Sequence, residues 1–102
     1  MSFRVRFTLT AQEDLQRLQE FLLQNSNGDL ALVERALHAI RAGITVLELS
    51  PFSCRKATSG NTFLREVVIS FGATGYVALF EIEDARTVTV LAVRHQREDD
   101  FH

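Results

Sequence analysis

The sequence is poor in the residue types that cross-link, kink or anchor a small protein. Its 102 residues include one cysteine, one proline and no tryptophan. A single cysteine excludes an intramolecular disulfide and a cysteine-based zinc site, and a cytoplasmic location is the expectation for such a chain. No apolar run approaches the ~18 residues that cross a bilayer, so no membrane partner is expected.

Familiar ligand motifs are missing as well. The sequence has no glycine-rich phosphate-binding loop and no paired histidine and acid at metal-ligand spacing. No metal and no cofactor are therefore expected. With 46% hydrophobic residues, the chain suffices for one core but is too short for a cofactor domain plus a substrate domain. A single domain over residues 1–102 is predicted.

The charge balance argues against general attraction to nucleic acid. The net charge is −2 and the isoelectric point is about 5.9, so any nucleic-acid contact would have to be local. Lys56 is the only lysine beside ten arginines. Arginine favours bidentate contacts with phosphate or carboxylate, although a GC-rich genome produces the same bias.

Hydrophobic periodicity predicts a strand and then two helices. The stretch FRVRFTL, residues 3–9, alternates apolar with polar side chains, as a half-buried strand does. Residues 10–13 resemble a capping box, which predicts a helix over residues 10–25. Asn, Ser and Gly then break the helix, and Asp29 is placed to cap a second helix over residues 29–48. That helix has the strongest amphipathic pattern, with an apolar stripe at Leu30, Val33, Leu37, Ile40, Ile44 and Leu47.

The second half of the chain reads as a loop and a meander. Residues 50–62 hold the single proline and many small polar residues, which predicts a loop. Three strands are then predicted over residues 63–71, 75–83 and 87–95, with connections short enough for antiparallel hairpins. The predicted class is therefore α+β, with a helical hairpin packed on one face of an antiparallel sheet that the first strand joins.

Arg65 is the first candidate site residue. It shares the alternation of Val67 and Ile69, so it should point to the buried side of its strand. A buried guanidinium needs water, an acid or a ligand. Two interpretations stay open: pairing with an acid such as Glu81 or Glu83, and a functional site.

A cationic group at the end of the last strand is the second candidate. Arg94, His95 and Arg97 lie within four residues and suit phosphate or carboxylate, and Arg55-Lys56 in the loop is the only adjacent basic pair. By simple alternation, Arg94 should share a face with Val88 and Val90, and His95 should face the other way. A solvated tail is the alternative, since three acids follow at residues 98–100.

The order of these segments resembles the RelE/ParE superfamily of toxins from bacterial toxin–antitoxin modules. The resemblance covers almost the whole chain and rests on FRVRFT, AQEDLQRLQEFL, LRE at residues 64–66, GYVALFEIED and VLAVRHQRED. It implies the same α+β fold, a cognate antitoxin as partner and a toxin–antitoxin hetero-oligomer as an assembly open to the chain.

Two branches of the superfamily imply different activities. RelE-like toxins cut mRNA on the ribosome with several cations and a terminal tyrosine or histidine. Here the corresponding positions hold Val77, Gln96 and Phe101 or His102. The ending His95-Gln96-Arg97-Glu98 resembles the ParE branch instead, which implies inhibition of DNA gyrase without catalysis by the toxin. An inactive homologue that only binds its antitoxin is a third hypothesis.

The resemblance also sorts the candidate residues. Under the ParE-like reading no residue is assigned a catalytic role, and the residues expected to bind the target are Arg55, Lys56, Arg65, Arg94, His95 and Arg97. These were expected to form one cationic patch at the rim of the sheet. Under the RelE-like reading, the catalytic candidates are Lys56, His95 and His102.

Overall fold

The computed structural model describes residues 2–25, 27–57, 64–71 and 74–95, without the side chains of residues 25 and 74. Within these ranges the chain forms two helices and five strands, with a 3-10 turn over Pro51–Ser53. In chain order the elements are β1 (Arg4–Phe7), α1 (Leu9–Asn25), α2 (Leu30–Leu49), β2 (Arg55–Lys56), β3 (Leu64–Phe71), β4 (Thr74–Ile82) and β5 (Thr87–His95).

The five strands form one sheet in the order β1-β5-β4-β3-β2. The predicted meander is confirmed, because β3 pairs antiparallel with β4 and β4 antiparallel with β5. The first strand joins in parallel alongside β5, so the sheet is mixed and not purely antiparallel. The two helices lie on one face of the sheet, which confirms the predicted α+β class.

The first helix begins earlier than the capping-box pattern predicts. Thr8, not Thr10, caps it, since the Thr8 hydroxyl accepts a hydrogen bond from the backbone N–H of Ala11 at 3.1 Å. The same hydroxyl donates to the carbonyl of Leu91 at 3.1 Å. One side chain thus ends β1, starts α1 and ties both to β5.

The second helix has its predicted cap but a different buried stripe. Asp29 accepts from the backbone N–H of Leu32 at 3.1 Å, as expected. Leu30, assigned to the apolar stripe, is 63% exposed. The buried face is shifted toward small residues that the pattern overlooked, and it consists of Val33, Ala36, Ile40, Gly43 and Leu47.

A β-bulge in β5 overturns the simple alternation expected for that strand. Leu79 pairs with Ala92 while its neighbour Phe80 pairs with Val90, so Leu91 is an extra residue. Because the bulge resets the alternation, Val90 and Arg94 lie on opposite faces of the sheet. Val90 faces the helices and Arg94 does not, which corrects the prediction that they share a face.

The predicted loop over residues 50–62 contains more regular structure than its composition suggests. After the turn at Pro51, the two residues of β2 pair antiparallel with β3, Arg55 opposite Glu66 and Lys56 opposite Arg65. The segment is therefore an edge strand at this point. A two-residue strand leaves too little alternation for a sequence pattern to detect.

The close approach of α2 to β3 yields a stability prediction. A methyl carbon on Gly43 would lie 2.5 Å from Cγ1 of Ile69, well inside contact distance. Gly43→Ala is expected to destabilise the fold by about 1–3 kcal/mol, although alanine favours helix by about 1 kcal/mol. Urea denaturation measures the change. Ile69→Val in the same chain should recover part of the loss, and a Gly43→Ala variant as stable as the parent would contradict the packing.

Candidate functional site

Arg65 contacts backbone carbonyls instead of the predicted acids. Its Nη1 donates to the carbonyl of Cys54 at 2.8 Å and to that of Phe52 at 3.4 Å. The guanidinium also lies 5.8 Å from the centre of the Phe52 ring, a cation–π distance. Neither Glu81 nor Glu83 contacts it among the described residues. Arg65 thus holds the turn before β2 against the sheet.

The adjacent pair in β2 is split between the two faces of the sheet. Arg55 points to the helix-free face, where its Nε lies 2.6 Å from Oε1 of Glu66. The Glu66 side chain is only 6% exposed, whereas that of Arg55 is 64% exposed. A buried carboxylate needs such a partner, so this ion pair fixes β2 to the sheet. Lys56 is exposed, pairs with Arg65 in the register, and points with it to the helix-covered face.

The two described cations of the C-terminal group also separate. Arg94 pairs with Val77 on the helix-free face, and its Nε is buried. His95 pairs with Tyr76 on the helix-covered face, where the two rings meet edge to face at 5.6 Å. Burial raises the pKa of the Tyr76 hydroxyl. Arg97 and His102 lie outside the described residues.

The sheet register decides which candidates lie near one another. Across the sheet, Arg94 is in register with Val68 of β3. Arg55 is in register with Glu66, two residues before Val68 on the same strand. At strand spacings of about 4.8 Å, the backbones of Arg94 and Arg55 are about 15 Å apart on a shared face. Arg65 and His95 lie on the opposite face. The described cations therefore do not form the single patch that was expected.

Cys54 has the properties of a structural thiol. Burial raises its pKa, an effect that the nearby Arg65 guanidinium and a hydrogen bond with Ser53 only partly offset. A raised pKa leaves less thiolate at neutral pH, so the thiol is a poor nucleophile.

Asp14 is a residue that sequence reasoning missed. Its Oδ2 accepts a hydrogen bond from the backbone N–H of Val93 at 3.0 Å. Strand β1 ends at Phe7, which lies opposite Val90, so β5 extends beyond its neighbour. The carboxylate replaces the missing strand partner there and supports the backbone just before Arg94. An acid in the first turns of an amphipathic helix gave no signal of this role.

An apolar groove lies between the two helices. It has a volume of about 480 Å³ and an aliphatic floor, with glutamines and an arginine around it. The helices form it because α1 packs mainly on β5 and α2 mainly on β3. Its lining is Phe7, Gln12, Leu15, Gln16, Gln19, Leu37, Ile40, Arg41 and Ile44.

The outer edge of β3 is only partly paired by β2. The short β2 pairs only with Arg65 and Glu66, although β3 continues to Phe71. The carbonyl of Leu64 points to this edge, where it accepts from Ala57, and by alternation so do the backbone groups of Val68 and Ser70. No described residue pairs with those groups. An added strand would complete them.

Within the described part of the chain, no three histidine, cysteine, aspartate or glutamate side chains come together in a way that could hold a metal ion. Neither α1 nor α2 is both long and apolar enough to cross a membrane.

A helical hairpin on one face of a five-stranded mixed sheet, closed by a strand bearing arginine and histidine, is the architecture of RelE/ParE-like toxins. The sequence matches the family described as ParE toxin of type II toxin–antitoxin system, parDE, over residues 5–100. The chain therefore belongs to the ParE toxin family.

A solved structure agrees with this assignment at the level of the fold. The chain is similar to a protein of the chromosomal ParDE toxin–antitoxin system from P. aeruginosa, with a TM-score of 0.68 and 13% sequence identity. The similarity covers 91% of this chain and 95% of the other. No curated protein matches the sequence.

The hydrogen bond from Val93 to Asp14 yields a testable prediction. Asp14→Ala leaves that N–H without its partner and is expected to cost about 1–3 kcal/mol in unfolding free energy. Asp14→Asn keeps an acceptor oxygen and should cost less. The neighbouring exposed Glu13→Ala is the matched control. Urea denaturation and hydrogen exchange of the Val93 amide measure the effect, and equal behaviour of the two alanine variants would refute the role.

Proposed function

We propose that this ParE-family chain is a toxin that inhibits DNA gyrase in the cytoplasm and is neutralised by a cognate antitoxin. Membership of the ParE toxin family over residues 5–100 is the observation that carries the proposal. The toxin acts by binding and needs no catalytic residue of its own. Gyrase inhibition is what the family implies for this chain.

The arrangement of the candidate catalytic residues favours this function over mRNA cleavage. Lys56 and His95 are three strand spacings apart and four residues offset along the sheet, about 20 Å between backbones. Two groups so far apart do not act on one phosphodiester bond. The net charge of −2 also disfavours entry among ribosomal RNA phosphates. RelE-like cleavage of mRNA, for which His102 is the third catalytic candidate, stays the alternative. A gyrase assay distinguishes the two activities.

The antitoxin is expected to occupy the helical groove and the β3 edge. An amphipathic helix fits a groove with an aliphatic floor and polar rim, and an extended segment fits the unpaired backbone groups of Val68 and Ser70. Both surfaces belong to one chain, so a single antitoxin segment with a helix and a strand would engage both. Such a complex is the toxin–antitoxin hetero-oligomer expected of the module.

The groove gives a direct test of the antitoxin assignment. Leu37→Asp places a charge in the aliphatic lining and is expected to weaken the complex with the small protein encoded beside this gene by about 30-fold or more. Leu30→Asp, at a leucine that is 63% exposed and outside the groove, is the matched control. Calorimetry measures affinity, and circular dichroism checks the fold. If the parent chain has no affinity for that neighbour, the module assignment fails.

The target is tested with arginine variants of the closing strand. Arg94→Ala and Arg97→Ala are expected to lessen growth arrest in cells lacking the antitoxin, whereas Arg35→Ala on α2 is not. The purified parent should inhibit gyrase supercoiling or stabilise cleaved gyrase–DNA complexes, and should leave mRNA on translating ribosomes intact. Cleavage of mRNA with gyrase unaffected would establish the RelE-like alternative. Failure of both activities would leave an inactive homologue that only binds its antitoxin.

A further inference from the structure

The charges of the described chain are divided between its two sides. The helices, with the Asp29 cap, carry six acidic and three basic residues. The strands and connections described carry seven basic and four acidic residues. The net charge of −2 therefore conceals an acidic helical layer and a basic sheet layer. An anionic partner is drawn to the sheet side.

Two arginines of β1 are the clearest unsatisfied charges on that side. Arg4 and Arg6 are exposed and alternate with Val5, which faces the helices, so both point to the helix-free face. Two residues along a strand places them about 6.5 Å apart. Neither guanidinium forms an ion pair with a described residue. The backbone carbonyl of Arg86 accepts a hydrogen bond from the backbone N–H of Arg4 at 2.7 Å. Both residues line a cavity of about 610 Å³.

Beside these arginines lie Thr87 and Thr89, with Glu81 on the next strand, and an aliphatic area begins beyond them. Toward β3 the helix-free face continues with side chains from β5, β4 and β3 and ends at Arg55 on the far edge. None of the described residues on this face is aromatic. Single-stranded nucleic acid is bound by stacking its bases on aromatic rings, so this face suits a peptide better. The aliphatic residues are Leu64, Val68, Val77, Leu79 and Ala92.

A buried hydroxyl marks the same region. Thr89 lies between Arg6 and Glu81 in the sheet register and is only 8% exposed. Its Oγ1 makes no hydrogen bond within the described part of the chain. Because this oxygen is itself buried, a docked segment would contact the surface around Thr89 and not the hydroxyl.

From these observations we infer that the helix-free face is a docking site for an acidic peptide segment containing apolar residues, supplied by the antitoxin. The segment's carboxylates bind Arg4 and Arg6, and its apolar side chains cover the aliphatic area. This inference rests on the proposed function, and it adds a third antitoxin surface to the helical groove and the β3 edge. A segment that is disordered when free suits such wrapping over two faces.

Charge reversal on matched arginines tests the inference. Arg6→Glu and Arg35→Glu make the same change at exposed arginines on the sheet side and on α2. Arg6→Glu is expected to weaken the complex with the protein encoded beside this gene by about fivefold to tenfold at low salt, mainly through slower association. The double variant Arg4→Glu with Arg6→Glu should weaken it further, and Arg6→Lys should retain most of the affinity. The loss should shrink as salt rises, because exposed charges are screened.

The outcomes separate this inference from the proposed function. If Arg6→Glu and Arg35→Glu bind alike while Leu37→Asp disrupts the complex, the antitoxin uses the groove but not the helix-free face, and the inference is refuted. If Arg6→Glu instead weakens binding to a single-stranded oligonucleotide and leaves the antitoxin complex unchanged, the face recognises phosphate, and the inference is likewise overturned. Absence of any complex with the parent chain would instead refute the antitoxin assignment itself.

Discussion

The rest of the structure depends on how β5 is held. This strand pairs on one side with β4 and on the other with β1, so the two ends of the described chain meet at it. Where β1 ends, two side chains take over its role: the Thr8 hydroxyl binds the carbonyl of Leu91, and Asp14 binds the N–H of Val93. Helix α1 is thereby attached to the strand by directional bonds as well as by apolar packing. The backbone that orients Arg94 and His95 is fixed along its length.

The groove between the helices follows from the same geometry. Helix α1 packs on β5 and α2 on β3, with β4 between those strands. Two strand spacings are about 10 Å, which is close to the usual distance between packed helix axes. Because Gly43 has no side chain, the backbone of α2 packs closely against Ile69 of the sheet. Side chains from both helices line the groove between them.

Regular periodicity explains how much of this fold the sequence could predict. Both helices, the three strands of the meander and the α+β class follow from patterns that repeat over eight residues or more, where one misplaced residue does not alter the conclusion. Several of the errors come from features only one or two residues long. An extra residue at Leu91 exchanges the faces of a strand, a cap at Thr8 moves a helix start, and a two-residue β2 has no period. Candidate residues could be named from their types, but their grouping could not, because faces and rows depend on those details.

The bulge also decides which face each of two neighbouring residues takes. Arg94 and His95 point to opposite faces because they are adjacent in a strand, and the extra residue before them places Arg94 on the helix-free face and His95 against Tyr76 under the helical layer. The ion pair of Arg55 with the buried Glu66 and the carbonyl contacts of Arg65 show that other cations of the expected patch stabilise the edge strand. Cations available to a partner are those whose side chains do not hold the fold together. Arg4 and Arg6 are two such residues on the helix-free face. The sequence analysis did not propose them as site residues, because an arginine that alternates with apolar residues is typical of the solvated face of a strand.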